Sequence, residues 1–243
     1  MIYVYLALPI MLFVYGWVRW YYALPILILI LYCLYRCLKN DTFTGRLPEK
    51  INWEKLAAAL LLIFIWVYLS GIGGLGYQNS DFQARNAIFR VLVEYEWPVL
   101  SFEKDSALVY YIGYWLPAAL VGKVFGYTIG SGFLYLWSVL GVCLFYYLVC
   151  LWRKKFELWP LFVIIFFSGM DAIGAVLSGE APLSVWTKEH LEIWAVTAQF
   201  TSMTSQLYYV FNQSLPAWIA TVLIMVQENN KNIWFILSCI IIT

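Results

Sequence analysis

Charge is what this sequence has least of. Only 12% of its residues are Asp, Glu, Lys or Arg, and 15 basic residues against 14 acidic ones leave a formal net charge of +1. That balance excludes the basic face a nucleic-acid partner requires. Histidine occurs once, as His190, so a histidine-built metal centre is excluded as well. The five cysteines (Cys33, Cys37, Cys143, Cys150 and Cys239) all lie within or at the ends of apolar runs. None is in a polar loop, which removes both a disulfide framework and a metal finger; Cys33 and Cys37 share a helix face as small apolar packing residues. No Gly-rich phosphate loop follows a strand pattern, and no Ser/His/Asp arrangement is present. The glycines of 71-GIGGLG-76 end an apolar run and read as flexible backbone at a helix exit.

What is present is hydrocarbon. Hydrophobic residues make up 63% and aromatics 20% of the chain, the composition of an all-α polytopic membrane protein. Six runs approach the length that crosses about 30 Å of hydrocarbon as a helix: residues 2–18, 23–38, 56–72, 129–152, 158–177 and 207–226. A partial seventh begins at Ile233, and its stop at Thr243 is expected to mean that the sequence continues in a longer protein. The first run lacks a basic leader and a small-residue cleavage site, so it is expected to be retained as a span. Residues 1–55 form an N-terminal hairpin with its loop, and residues 56–243 a larger membrane region.

Orientation decides the ambiguous stretch 107–125. Basic residues gather in 36–55 (Arg36, Lys39, Arg46, Lys50, Lys55) and in Arg153, Lys154 and Lys155. Positive-inside bias wants both groups on the cytoplasmic side, which holds only if 107–125 dips into the membrane and returns, or lies in the interface. Pro117 and Gly113 suit such a re-entrant helix. Both long polar loops, 73–106 and 178–206, then share the outer face.

The first loop carries a compact polar set: Gln78, Asn79, Asp81, Arg85 and Asn86. Ser80 followed by Gln83 reads as a capping box. From Asp81 to about Tyr95 the positions Ala84, Ala87, Ile88, Val91, Leu92 and Tyr95 recur at helical spacing, predicting an amphipathic interfacial helix with Arg85, Arg90 and Glu94 on other faces, halted by Trp97-Pro98. An acid in a first turn is favoured by the helix dipole alone. Asp81 is equally suited to act as a general base at the membrane surface, and residue chemistry leaves the two open.

The second region begins with Asp171 in SGMDAIG, placed inside a predicted span where a carboxylate is costly and normally faces a watery cavity. After it, Glu180, Lys188, Glu189, His190, Glu192 and Gln199 alternate with Trp186 and Trp194. Polar side chains beside indole faces suit a sugar, whose hydroxyls bond the former and whose ring faces stack on the latter. Asn212 and Gln213 then enter the last full span, where amides bond between helices or line a groove.

A span, an outer loop opening with an acid on a horizontal helix, and an aromatic re-entrant segment ending in Leu116-Pro117-x-x-Leu120-x-Gly122-Lys123-x-Phe125-Gly126 together resemble the GT-C membrane glycosyltransferases. The resemblance spans residues 56–226. It implies an inverting transfer of a sugar from a polyprenyl-phosphate donor to a glycan or protein acceptor on the outer face of the plasma membrane. Asp81 corresponds to the family's catalytic acid position, and Asp171 would supply a second carboxylate. Gln78, Arg85, Asn86, Lys188, His190, Glu192 and Gln199 would bind substrate, with Arg85, Lys188 or His190 meeting the departing phosphate. Asp81 precedes Phe82 and Gln83, so the Asp-x-Asp or Glu-Asp pair of metal-dependent members is missing. No metal ligand is assigned, and a divalent metal stays an open option. The competing expectations are a carrier or flippase for lipid-linked or small polar solutes, for which no internal repeat is evident, and a non-catalytic fragment.

Overall fold

A computed structural model describes residues 1–39, 52–78, 80–101, 106–167 and 201–226, together with Ile173 and Leu177. Eight helices occur among them: α1 (Ile2–Trp17), α2 (Trp20–Lys39), α3 (Trp53–Leu69), α4 (Ser80–Glu94), α5 (Leu116–Phe125), α6 (Tyr127–Arg153), α7 (Trp159–Phe166) and α8 (Met203–Val226). A two-residue antiparallel ladder, β1 (Leu100–Ser101) with β2 (Ser106–Ala107), pairs Leu100 with Ala107. Single 3-10 turns at Ile72–Gly74 and Ile112–Trp115 lead out of α3 and into α5.

Among the described residues three helices, α2, α6 and α8, are long and apolar enough to cross a membrane, with 20, 27 and 24 residues. This is coarser than the six spans expected. Helices α1 and α3 have 16 and 17 residues, or about 24–26 Å at about 1.5 Å per residue, just under the hydrocarbon thickness. The run 158–177 is not one helix: α7 ends at Phe166, and Phe167 is extended (φ −74°, ψ 114°). Helix α5 has ten residues, about half a crossing.

Helix α6 is the centre of the bundle and packs against α5, α8 and α3. Its junction with α5 is a single residue, Gly126, at φ 94°. Eight residues apart, Gly122 and Gly130 bring the two backbones into contact: a Cβ on Gly130 would lie 2.7 Å from the Gly122 Cα. Small residues are the usual means of such an approach between membrane helices, and Ala118 and Ala119 extend the contact face. A buried hydroxyl chain ties α1 to this core. The Tyr5 hydroxyl lies 3.2 Å from that of Tyr114 and donates to the Trp137 carbonyl, while Tyr114 lies 2.9 Å from Ser138 Oγ. The Tyr5 ring stacks on Trp137 at 4.1 Å.

The contacts also fix which chain ends lie together. Trp17, closing α1, donates to the Leu108 carbonyl and packs against Trp97. Ser131, in the first turns of α6, donates to the Gly73 carbonyl beyond α3, and Phe89 of α4 meets Tyr127. The ends of α1 and α3, the start of α6, α4 and the ladder therefore form one end of the bundle. At the other end, residues 1–3 of α1 lie against Cys143, Leu144 and Tyr147 of α6. Helix α2 folds back on α1, so Arg36 and Lys39 lie at the end where α6 delivers Arg153, Lys154 and Lys155. Arg36, Lys39, Arg153, Lys154 and Lys155 thus collect at one end, opposite the polar loop that carries Arg85 and Arg90, with α5 not crossing.

Candidate functional site at the polar end of the bundle

Helix α4 forms as expected in type and length but presents a different face. Phe82, Phe89, Leu92 and Val93 are buried, whereas Ala84, Ala87 and Tyr95 are exposed and Ile88 and Val91 half-buried. The two phenylalanines outweigh the alanines in apolar area, so the helix turns them inward. Arg85, three residues after Phe82, turns inward with them instead of lying on a solvent face. The helical backbone begins at Ser80, within one residue of the expected start. At the far end the Trp97 indole donates to the Leu92 carbonyl at 2.9 Å and Lys123 donates to that of Tyr95, occupying carbonyls that lose their helical partners.

Arg85 is the centre of the arrangement. Its side chain keeps 14% of its exposure, with the guanidinium 5.3 Å from the Phe82 ring centroid and 5.8 Å from that of Phe211 in α8. Nη1 donates to the Tyr208 carbonyl at 3.2 Å, and Nη2 lies 3.5 Å from Asp81 Oδ2, one helical turn back. Burial pushes the guanidinium pKa down from its ordinary value, and Asp81 and then Tyr110 pull it back up. Asp81 is 54% exposed and its contact with Arg85 is long. A carboxylate open to solvent beside a largely buried cation can accept a proton from a hydroxyl while the cation holds an anion.

Gln78 and Asn86 have local tasks. Gln78 Nε2 donates to the carbonyls of Gly71 (2.7 Å) and Leu75 (3.1 Å), and its Oε1 accepts from Asn86 Nδ2 at 2.9 Å. The pair closes the turn from α3 into α4. The turn needs Gly71 at φ 89°, where a Cβ would stand 2.2 Å from the Tyr77 carbonyl oxygen. Gln78 thereby commits its amide group to the turn, while Asn86 is engaged through Nδ2 alone.

Three neighbours of Arg85 were not legible beforehand: Tyr208, Phe211 and Tyr110. Phe211 also meets Tyr114 and Trp115 edge-on at 5.7 and 6.2 Å. Tyr111 holds a left-handed backbone (φ 39°), uncommon for a non-glycine residue and worth noting beside a site. Its carbonyl accepts from Asn212 Nδ2 at 3.4 Å, which fits the interhelical use foreseen for that amide. Helix α8 breaks at Val210 (φ −144°, ψ 34°), six residues before Pro216, whose ring cannot donate to the Asn212 carbonyl. The break delivers Tyr208 and Phe211 to Arg85.

Asp171, Lys188, His190, Glu192 and Gln199 lie outside the described residues. Among the described residues no group of three His, Cys, Asp or Glu side chains is placed to hold a metal. No family model, curated protein or solved structure matches the chain.

Proposed function

We propose that the chain is a membrane-embedded glycosyltransferase of GT-C type, transferring a sugar from a polyprenyl-phosphate donor to an acceptor hydroxyl at the outer face of the plasma membrane. The observation that carries this reading is the Asp81–Arg85 pair, a solvent-open carboxylate one turn from a guanidinium buried under aromatic rings. Asp81 takes the proton from the acceptor hydroxyl as its oxygen attacks the anomeric carbon. The bond to the donor phosphate breaks, the configuration inverts, and the phosphate leaves with the electron pair. Arg85 meets the charge that develops there, where a charge-assisted donor counts most. Lys188 and His190 would share that task, Asp171 would be the second carboxylate, and Glu192 and Gln199 would hold hydroxyls. The basic residues at the opposite end agree with an outward-facing site under the positive-inside rule.

The test is Asp81→Asn, which keeps the volume and removes the base. Membranes carrying the full chain are given a panel of synthetic polyprenyl-phosphate hexoses. Transfer should fall by about 100-fold or more in the variant, the usual size of a general-base contribution, with membrane insertion unchanged. Undiminished transfer removes Asp81 from the mechanism. The break in α8 at Val210 favours a second reading, because interrupted helices are how carriers shape a midplane site. Proteoliposomes that move a lipid-linked sugar across the bilayer without transferring it, equally in wild type and Asp81→Asn, would favour that reading.

A further inference from the structure

At the bundle end opposite Arg85, α1 and α6 leave an open apolar groove of about 400 Å³, lined by residues that include Tyr3, Leu140, Cys143, Leu144, Tyr147 and Leu223. Tyr3, Leu144 and Leu223 form a buried floor, and Met1 and Tyr147 an exposed rim. The volume is that of a small-molecule site, and the lining offers no charged side chain. The four α6 residues stand at i, i+3, i+4 and i+7, a single stripe of the helix. Continued at the same spacing, the stripe runs through Leu151 to Lys154, seven residues beyond Tyr147 and so about 10 Å further along the axis.

Lys154 occupies the residue after the helix at φ 57°, a left-handed position that glycine ordinarily fills. Lys154 is exposed there, beyond the end of the stripe, with exposed Lys155 beside it. Arg36 and Lys39 end α2 at the same level. The acids at this end among the described residues are Glu54 and Glu157, and Glu157 is already engaged by Arg153 at 3.0 Å and by the Trp159 indole at 2.9 Å.

An apolar groove opening onto an excess of cations has the polarity of one ligand class. We infer that it seats an acyl chain of an anionic phospholipid from the adjoining leaflet, with the phosphate against Lys154 and Lys155. Surface cations attract anionic headgroups by this means, and the groove supplies the contact that a merely basic surface lacks. The site is independent of Asp81 and Arg85 and of the reaction proposed for them.

The experiment uses the full chain in nanodiscs of equimolar phosphatidylglycerol and phosphatidylcholine, with one lipid or the other carrying a diazirine in mid-chain, and peptide mapping after irradiation. Phosphatidylglycerol should label residues 140–147 about tenfold more than phosphatidylcholine, as two lysines near a headgroup imply. Lys154→Gln with Lys155→Gln should erase the preference while folding is unchanged, and Cys143→Trp should remove the label by filling the groove. Equal labelling by the two lipids overturns the proposal, as does labelling that Cys143→Trp leaves intact. A cysteine-directed cross-linker that joins Cys143 to Cys239, or to Cys143 of a second copy, in place of lipid labelling also overturns it, since protein then covers the groove.

Discussion

The two ends of the bundle each hold an arginine and an acid four residues apart, and the two pairs differ in what is left over. At the basic end Arg153 and Glu157 meet at 3.0 Å, the Trp159 indole donates to the same carboxylate, and its ring lies 4.3 Å under the guanidinium. Cation, acid and aromatic lie in close mutual contact, although Arg153 Nη1 makes no well-aligned hydrogen bond, and the side chains are 25% and 35% exposed. At the polar end the burial is lopsided, with Arg85 under two rings and Asp81 facing solvent at 3.5 Å. A closed pair braces a corner. An open pair, whose cation is desolvated and whose acid is not, has interactions still to make.

The sharpest way to break this comparison is to remove each charge while keeping its stem. Arg85→Met should lower sugar transfer by about tenfold to 100-fold, the worth of a charge-assisted hydrogen bond, and Arg153→Met should leave transfer within about twofold while lowering the melting temperature. Parallel transfer assays and thermal denaturation of both variants decide it; equal losses of transfer would end the distinction. Next in size are the bracing amides. Gln78→Ala and Asn86→Ala should each destabilise by about 0.5–1.5 kcal/mol, the net worth of a hydrogen bond whose stranded partner still reaches water. The double variant should cost less than the sum, since one interaction is being removed twice. If either amide held substrate, KM would rise with no change in melting temperature.

The smallest effect is acid dependence at the closed pair. The Trp159 hydrogen bond, and after it Arg153, hold the Glu157 carboxyl below its ordinary value. A folded value below the unfolded one contributes stability above the unfolded pKa of about 4.3, lost as the pH falls through the lower folded value. The melting-temperature gap between wild type and Glu157→Gln should therefore be present at neutral pH and close on acidification through that window. A gap that is constant with pH would mean the carboxylate charge is not what the corner uses.

The long apolar helices α2, α6 and α8 were legible because an uninterrupted hydrocarbon run has few alternatives to a helix in or near a bilayer. The shortness of α5 followed from charge bias and Pro117, which act locally. The inner face of α4 was not legible. The expected stripe of Ala84, Ala87, Ile88, Val91, Leu92 and Tyr95 shares Leu92 with the buried face, but the partners Tyr127 and Phe211, which turn Phe89 and Phe82 inward, are not visible in the helical period. With that face went the burial of Arg85. The bracing role of Gln78 was not legible because its acceptor, the Gly71 carbonyl, is presented only once the chain has turned through positive φ, and Asn86 in turn donates to Gln78. The interruption at Phe167 falls in a run whose hydropathy alone reads as continuous.

The one-residue link at Gly126 has a consequence for how the protein is made. Helix α5 is too short to cross a bilayer by itself, and although it also packs on α1 and α4, its main contact, at the Gly130 turn, is with a helix that leaves the ribosome after it. Its packing is therefore complete only when α6 has been made. A segment that enters and returns on one side adds no crossing, so the side on which Arg153, Lys154 and Lys155 come to rest is set by α6 together with the spans that precede it.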